Sequence, residues 1–268
     1  MRPVAPVEGA SFIHRLNPAV KMVAAFVGSL VLIFIFDPVT PAVFYALALA
    51  TMVLGARLPL STVALAHLPF LAFAFSVFWV NLLFRSEGLV LAVIGPLTVT
   101  EPGLRIGASL ALRTLVIGAY AATFVLTTDP TRLVTSLVQN VRVSPRFAYA
   151  MLAAYRFLPT LHGELAVIRR AHAMRGDGPG RGPVRRVRGA ARHSLPLLVS
   201  AVRRAERVGI ALESRGLGAR PRRTFWRPVP VRRSDLAFLG VALTVFAAVP
   251  VLTAALGLLR GFESLTVF

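Results

Sequence analysis

The chain has 268 residues, 56% hydrophobic and only 15% charged, yet its net charge is +19 and its mean hydropathy +0.71. A soluble domain is rarely this apolar and this basic at once, so the pair of properties points to a polytopic membrane protein with a basic region on one side. With no cysteine, disulfides and thiolate metal sites are excluded.

The opening stretch, Met1 to Lys21, is a polar lead-in carrying Arg2, Arg15 and Lys21, with no basic n-region before a cleavable apolar core, so no secretory signal is expected. Leu16-Asn17-Pro18 breaks the lead-in and starts a helix. Met22 to Phe36 is continuously apolar and ends at Asp37-Pro38. It is short for a span of about 20 residues, but it extends back through Ala19 and Val20, with Lys21 able to snorkel. Val39 to Gly55 is a second apolar run, closed by Arg57 and Pro59. A third runs from Leu68 to Phe84, with Trp79 near its end as in an interfacial belt. Leu89 to Ile94 is too short to cross, and Gly95-Pro96 and Pro102-Gly103 interrupt the region, so a loop or re-entrant piece is expected there. Leu104 to Leu126 is a full-length span. Gly107, Ala111, Thr114, Gly118 and Ala122 recur along it at threes and fours, forming one small-residue face. Such a face lets helices approach closely, either inside this protein or as a docking face for another membrane subunit. Arg113 lies inside the span, where a charge is costly; snorkelling or an inward polar pocket is preferred to a substrate site.

Asp129-Pro130 is a helix-start signal, with Asp as N-cap and Pro at the first helical position, and a short helix over Thr131–Asn140 follows. Ser144-Pro145 repeats the signal. Phe147, Met151, Tyr155, Leu158, Leu161, Leu165 and Ile168 then recur at threes and fours, an amphipathic helix that Pro159 should kink or break. It ends at Ala173-Met174-Arg175-Gly176. Asp177 to His193, rich in Gly, Pro and Arg, reads as a loop and lacks the lysine of a phosphate-binding Walker loop. Ser194-Leu195-Pro196 starts another helix, with Leu198, Ala201, Ala205, Val208 and Leu212 as its apolar face, ending at Glu213-Ser214-Arg215-Gly216. A basic, proline-broken linker from Arg220 to Arg233 leads to a last span, Leu236 to Leu259, with Pro250 inside it.

The two Arg-Gly endings match each other, 40 positions apart (175 to 215). Glycine just past a helix is a C-terminal signal, and arginine there faces the negative end of the helix dipole. Each ending alone reads as an ordinary cap; two of them in one basic insert suggest a pair of contact tips. The sequence thus predicts an all-α polytopic membrane protein of about five transmembrane helices, with a cytoplasmic helical domain inserted between the fourth and fifth. The segments are 1–127, 128–233 and 234–268. Of the 30 Lys+Arg, 22 fall between Asp129 and Arg233. Together with the basic lead-in and the Arg57 loop, this places the N-terminus and the insert inside and the C-terminus outside.

Several motifs carry a resemblance: Leu16-Asn17-Pro18-Ala19-Val20-Lys21, Asp129-Pro130-Thr131-Arg132-Leu133, Ala154-Tyr155-Arg156-Phe157-Leu158-Pro159, Arg204-Ala205-Glu206-Arg207 and the two Arg-Gly endings. In this order they resemble the transmembrane T component of energy-coupling factor (ECF) transporters, the CbiQ/EcfT family. The resemblance implies a non-catalytic subunit in the plasma membrane of a prokaryote. Such a subunit joins a membrane substrate-binding S component to two cytoplasmic ABC ATPase subunits, which bind the ATP and magnesium. It implies that Arg175 and Arg215, with Ala173, Met174, Gly176, Glu213, Ser214 and Gly216, contact those ATPases. Met174 and Ser214 replace the alanine often found before the arginine. The solute expected by resemblance is a vitamin or a cobalt or nickel ion. The rival readings are a polytopic membrane enzyme and a basic scaffold or anchor on nucleic acid or anionic lipid. Against the first, His14, His67, His162, His172 and His193 show no pairing at i, i+3 or i+4, and no metal or catalytic motif is present. Against the second, basic runs such as Arg185-Arg186-Val187-Arg188 suit a lipid-facing surface but leave the paired endings unexplained. Membrane lipid is therefore kept as a partner, and nucleic acid is not.

Overall fold

The computed structural model describes residues 11–84, 90–94, 97–175, 183–217, 225 and 228–257. In chain order the elements are α1 (Phe12–Arg15), α2 (Pro18–Ile33), α3 (Val39–Ala50), α4 (Leu60–Phe84), β1 (Val90–Ile94), β2 (Leu97–Thr100), α5 (Glu101–Thr127), α6 (Pro130–Asn140), α7 (Pro145–Met174), α8 (Pro183–Ser214) and α9 (Arg233–Ala255). The chain divides into two compact units, residues 1–136 with 229–268, and residues 137–228. The first boundary therefore falls inside α6 rather than at 128, and α9 belongs to the same unit as the first four apolar segments.

Helix starts follow the capping residues. Asn17 Oδ1 accepts from the Ala19 N–H at 3.0 Å, Thr100 Oγ1 from Gly103 at 3.3 Å, and Asp129 Oδ1 from Arg132 at 2.8 Å. In each case proline follows within two residues, where its missing N–H costs nothing. Among the described residues three helices are long and apolar enough to cross a membrane: α4 with 25 residues, α5 with 27 and α9 with 23. Two shorter apolar helices accompany them, Pro18–Ile33 and Val39–Gly55. The protein is thus a helical, multi-pass membrane protein. Two expectations change here. The third apolar helix begins at Leu60, not Leu68, and carries Pro69 within it, as membrane helices tolerate. The segment expected as a loop or re-entrant piece is an antiparallel hairpin pairing Val93 with Thr98 and Ile94 with Leu97. Its β-branched residues and the Gly95-Pro96 break between the strands favour that pairing over a helix.

Two belts of hydrogen bonds close the membrane unit. At one end, Asp37 Oδ2 accepts from the Thr40 N–H (2.6 Å), and Ser109 Oγ donates to the Asp37 carbonyl (2.9 Å). Thr40 Oγ1 bonds Thr253 Oγ1 (2.9 Å), joining α3 to α9. Arg113 donates to the Ile35 carbonyl and lies over the Phe36 ring, 5.0 Å from its centroid. Its charge is thus spent on the turn between α2 and α3. At the other end, Lys21 Nζ donates to the Thr127 carbonyl at 2.9 Å, and the Asn17 N–H donates to Asp235 Oδ1 at 2.9 Å. Arg132 donates to the His14 and Arg15 carbonyls at 3.0 and 3.4 Å. Lys21 does not snorkel outward: it is 6% exposed and bonds inward. Ser109 to Thr127 on α5 and Asp235 to Thr253 on α9 each span eighteen residues. At 1.5 Å per residue that is about 27 Å, close to the ~30 Å hydrocarbon core. Between the belts the packing is apolar: Leu32, Ile35, Phe44 and Val116 with Phe246 and Val249 in one cluster, and Met52, Leu58, Val63, Ala119, Ala122 and Leu126 in another.

The small-residue face of α5 lies against α4. A Cβ on Gly118 would sit 2.4 Å from the Phe70 ring, and one on Gly107 would sit 3.1 Å from the Phe78 carbonyl. Ala122 is buried in the apolar cluster. At these three positions the face packs within this chain; Ala111 and Thr114 are half-buried. Gly118→Leu should therefore destabilise the protein by roughly 1–3 kcal/mol, the usual cost of overpacking, whereas Ala111→Leu should change little. Thermal unfolding in detergent checks this; equal midpoints for both variants would return Gly118 to a free surface.

Candidate coupling site

The second unit is built on α7 and α8. α7 runs unbroken over 30 residues with Pro159 inside it, so the expected break does not occur. α8 has 32 residues and begins at Pro183, with Pro196 inside it. Much of the expected 177–193 loop is therefore helix; 177–182 lies outside the described residues. Pro183 occupies the first helical position, and Ala190, Ala191 and several arginines favour a helix after it. Ser194 does not cap a helix: its Oγ donates to the Ala191 carbonyl at 2.8 Å.

The two helices run antiparallel and are tied at three levels. Glu164 on α7 accepts from Ser200 Oγ at 2.7 Å and forms an ion pair with Arg204. Arg204 also lies over the Phe157 ring at 5.7 Å. Further along, the His172 and His193 rings meet edge to face, 4.9 Å apart. The helices face each other through half-buried Leu161, Glu164, Ile168 and His172 on α7 and His193, Leu197, Ser200, Arg204 and Val208 on α8. Part of the apolar stripe read from the sequence points elsewhere. Phe147, Met151, Tyr155 and Leu158 are exposed, as is Leu198.

Both arginine endings are exposed. On α7, Ala173, Met174 and Arg175 stand free, with Met174 at 84%. The Arg175 N–H donates to the His172 carbonyl at 3.1 Å, closing the last turn; Gly176 lies outside the described residues. On α8, Glu213, Ser214 and Arg215 are exposed and Gly216 is half-buried. Gly216 has φ +76°. Its N–H donates to the Glu213 carbonyl (2.8 Å) and the Leu217 N–H to the Leu212 carbonyl (2.9 Å), which together make a Schellman ending that needs the left-handed conformation. Among the described residues neither the Arg175 nor the Arg215 guanidinium has a hydrogen-bond or carboxylate partner.

The clasp and the tips share one spacing. Glu164 and Arg204 are 40 residues apart, as are Arg175 and Arg215, so each tip lies eleven residues beyond its clasp partner. Eleven helical residues span roughly 16 Å. In antiparallel helices the two tips point away from the clasp in opposite directions. A hairpin with a central brace and a bare guanidinium at each end can present two planar, bidentate donors to two separate acidic surfaces. Among the described residues there is no group of three or more His, Asp or Glu side chains that could hold a metal ion.

A family model described as "CbiQ: Cobalt transport protein" matches residues 9–225 of the chain. The chain belongs to the CbiQ/EcfT family of ECF transporter T components. It is 31% identical to the energy-coupling factor transporter transmembrane protein EcfT of Exiguobacterium sibiricum over 247 residues, covering 88% of this chain and 94% of that one. It is 29% identical to the EcfT of Bacillus subtilis, covering 90% and 94%. A putative ABC transporter ATP-binding protein of Bifidobacterium longum is 28% identical over 89% of this chain, but the chain spans only 32% of that relative's length.

In this T-component chain two contacts of the candidate site were not legible in the sequence. The Glu164–Arg204 clasp and the His172–His193 contact need the antiparallel register, which no local pattern supplies. The cap itself can be tested directly. Gly216→Ala puts a Cβ on a left-handed residue and should cost about 1 kcal/mol, seen as faster hydrogen exchange at the Leu217 amide. Unchanged protection there would mean that the ending does not depend on that conformation.

Proposed function

We propose that this T component couples two cytoplasmic ABC ATPase subunits to a separate membrane substrate-binding subunit, driving uptake of a vitamin or a cobalt or nickel ion. The observation that carries the reading is the pair of exposed arginines at the two ends of one braced hairpin, neither with a guanidinium partner among the described residues. Guanidinium is always charged, and its fork suits carboxylates in a narrow groove. Two tips suit two ATPase subunits. The Bifidobacterium longum relative supports the ATPase partnership, because a region like this chain lies within a protein named as ATP-binding. The family description favours a cobalt ion among the solutes, with recognition assigned to the substrate-binding subunit. The exposed apolar row Phe147, Met151, Tyr155 and Leu158 suits contact with that subunit. In this reading the N-terminus and residues 137–228 are cytoplasmic, there are five spans, and the chain itself binds no ATP, magnesium or other cofactor.

Removing one partner of a desolvated charge pair costs about 2–5 kcal/mol of binding, against about 1 kcal/mol or less of stability for a surface cap. Arg175→Ala and Arg215→Ala should therefore leave insertion and folding nearly intact. Each should weaken ATPase association or uncouple hydrolysis from uptake, and the double variant should abolish uptake. Lysine should rescue only in part, lacking the fork. Solute uptake measured beside ATPase copurification decides it, and normal uptake by the double alanine variant overturns the coupling role.

Orientation has its own check. Cysteine at exposed Glu213 should resist an impermeant thiol reagent in intact cells, and cysteine at exposed Gly257 should react. The reverse pattern would invert the topology.

A further inference from the structure

We infer that Asn17 is a positioning residue that fastens the outgoing and returning connections of the coupling unit to the head of α2, so that motion of that unit is delivered to the membrane helices. Asn17 is 2% exposed. Its side chain does more than cap α2. Oδ1 accepts from Ser136 Oγ at 2.6 Å as well as from the Ala19 N–H, and Nδ2 donates to the Val229 carbonyl at 3.0 Å. Its own N–H donates to Asp235 Oδ1, whose second oxygen accepts from the Arg232 N–H at 2.7 Å. Ser136 is the last residue of the membrane unit before the chain leaves it, and Val229 is the first after the chain returns. One planar amide therefore holds both connections, its acceptor on the outgoing one and its donor on the returning one.

The chemistry explains why this residue is asparagine. A helix cap needs only an acceptor, which Asp, Ser or Thr would supply equally well. Holding the Val229 carbonyl also requires a donor; a Ser or Thr hydroxyl carries both functions on one oxygen, and among good caps only Asn places acceptor and donor on separate atoms of one planar group, each able to reach a different connection. The site is buried, so each bond lost leaves an unsatisfied polar group and cannot be replaced by water without cost. α6 is one continuous helix through Ser136, so a displacement at its far end reaches the amide through a rigid element.

This inference rests on the coupling role proposed above, and two single-group changes separate the two. Ser136→Ala cuts the outgoing bond and the longer bond from the Ala19 N–H (3.4 Å), and leaves the shorter cap bond from Ala19 to Asn17 Oδ1 (3.0 Å). Asn17→Asp keeps the cap and the Ser136 bond but loses the donor to Val229. Each variant is reconstituted into proteoliposomes as the complete transporter with its ATPases and substrate-binding subunit. ATP hydrolysis, solute uptake and the melting temperature are measured on the same preparations, with the Arg175→Ala/Arg215→Ala variant alongside. The expected result is near-normal ATP hydrolysis with solute moved per ATP reduced about fivefold or more, the factor corresponding to one buried hydrogen bond of ordinary net strength. Both variants should show it. A normal ratio of solute to ATP in both, whether or not the melting temperature falls, would make Asn17 a purely structural cap and overturn the inference. Undiminished uptake by the double arginine variant would instead remove the coupling role itself, whatever the Asn17 variants do.

Discussion

In a bilayer core there is no water to satisfy a polar group, so each one must find its partner inside the chain. The membrane unit meets most of this demand with two belts of side-chain hydrogen bonds about one hydrocarbon thickness apart, while Asp37 Oδ1, Arg113 Nε and, outside the belts, His67 Nε2 are buried without a hydrogen-bond partner among the described residues. Asp37, Thr40, Ser109, Arg113 and Thr253 form one, and Asn17, Lys21, Thr127, Ser136 and Asp235 the other. The two charged residues that looked misplaced in apolar sequence, Lys21 and Arg113, each bond a main-chain carbonyl and so tie one helix to another. α2 has only 16 residues, and the belts at its ends are what fix its position between longer neighbours.

Helix positions were largely legible in the sequence because caps and hydrophobic runs are local. Asn17-Pro18, Asp129-Pro130 and Ser144-Pro145 each open a helix where expected. Errors arose where a local signal competes with a nonlocal one. Pro159 reads as a kink or break and Pro196 as part of a helix start, yet each sits inside a long helix tied by the Glu164 clasp to its partner. The glycine- and arginine-rich stretch before Ser194 read as loop, although residues from Pro183 onward are helical. The 90–100 segment was too short for a span, and only strand pairing satisfies its β-branched residues. The family resemblance was carried by motif order, and the comparison with relatives bears it out over most of the chain.

The candidate site divides in the same way. Arg175 and Arg215 could be named from the chain because each precedes a glycine at a helix end. The clasp between Glu164 and Arg204 and the bonds of Asn17 to Ser136 and Val229 join residues far apart in sequence. Their residue types were visible but not their partners. Asn17 in particular looked fully explained by its role at the start of α2, which hid its bonds to the two connections. The small-residue face of α5 shows the converse: a pattern compatible with two uses, of which packing on α4 accounts for Gly107 and Gly118.

The equal distance from clasp to tip makes angular phase a constraint on this hairpin. Each residue turns an α-helix by about 100°. A single residue inserted between Glu164 and Arg175 would swing that guanidinium by more than a quarter turn while leaving the clasp, the composition and the charge untouched. The same holds between Arg204 and Arg215. Length in these two eleven-residue arms is therefore a stricter requirement than the identity of most side chains along them, and surface residues there can vary freely provided that none is added or lost.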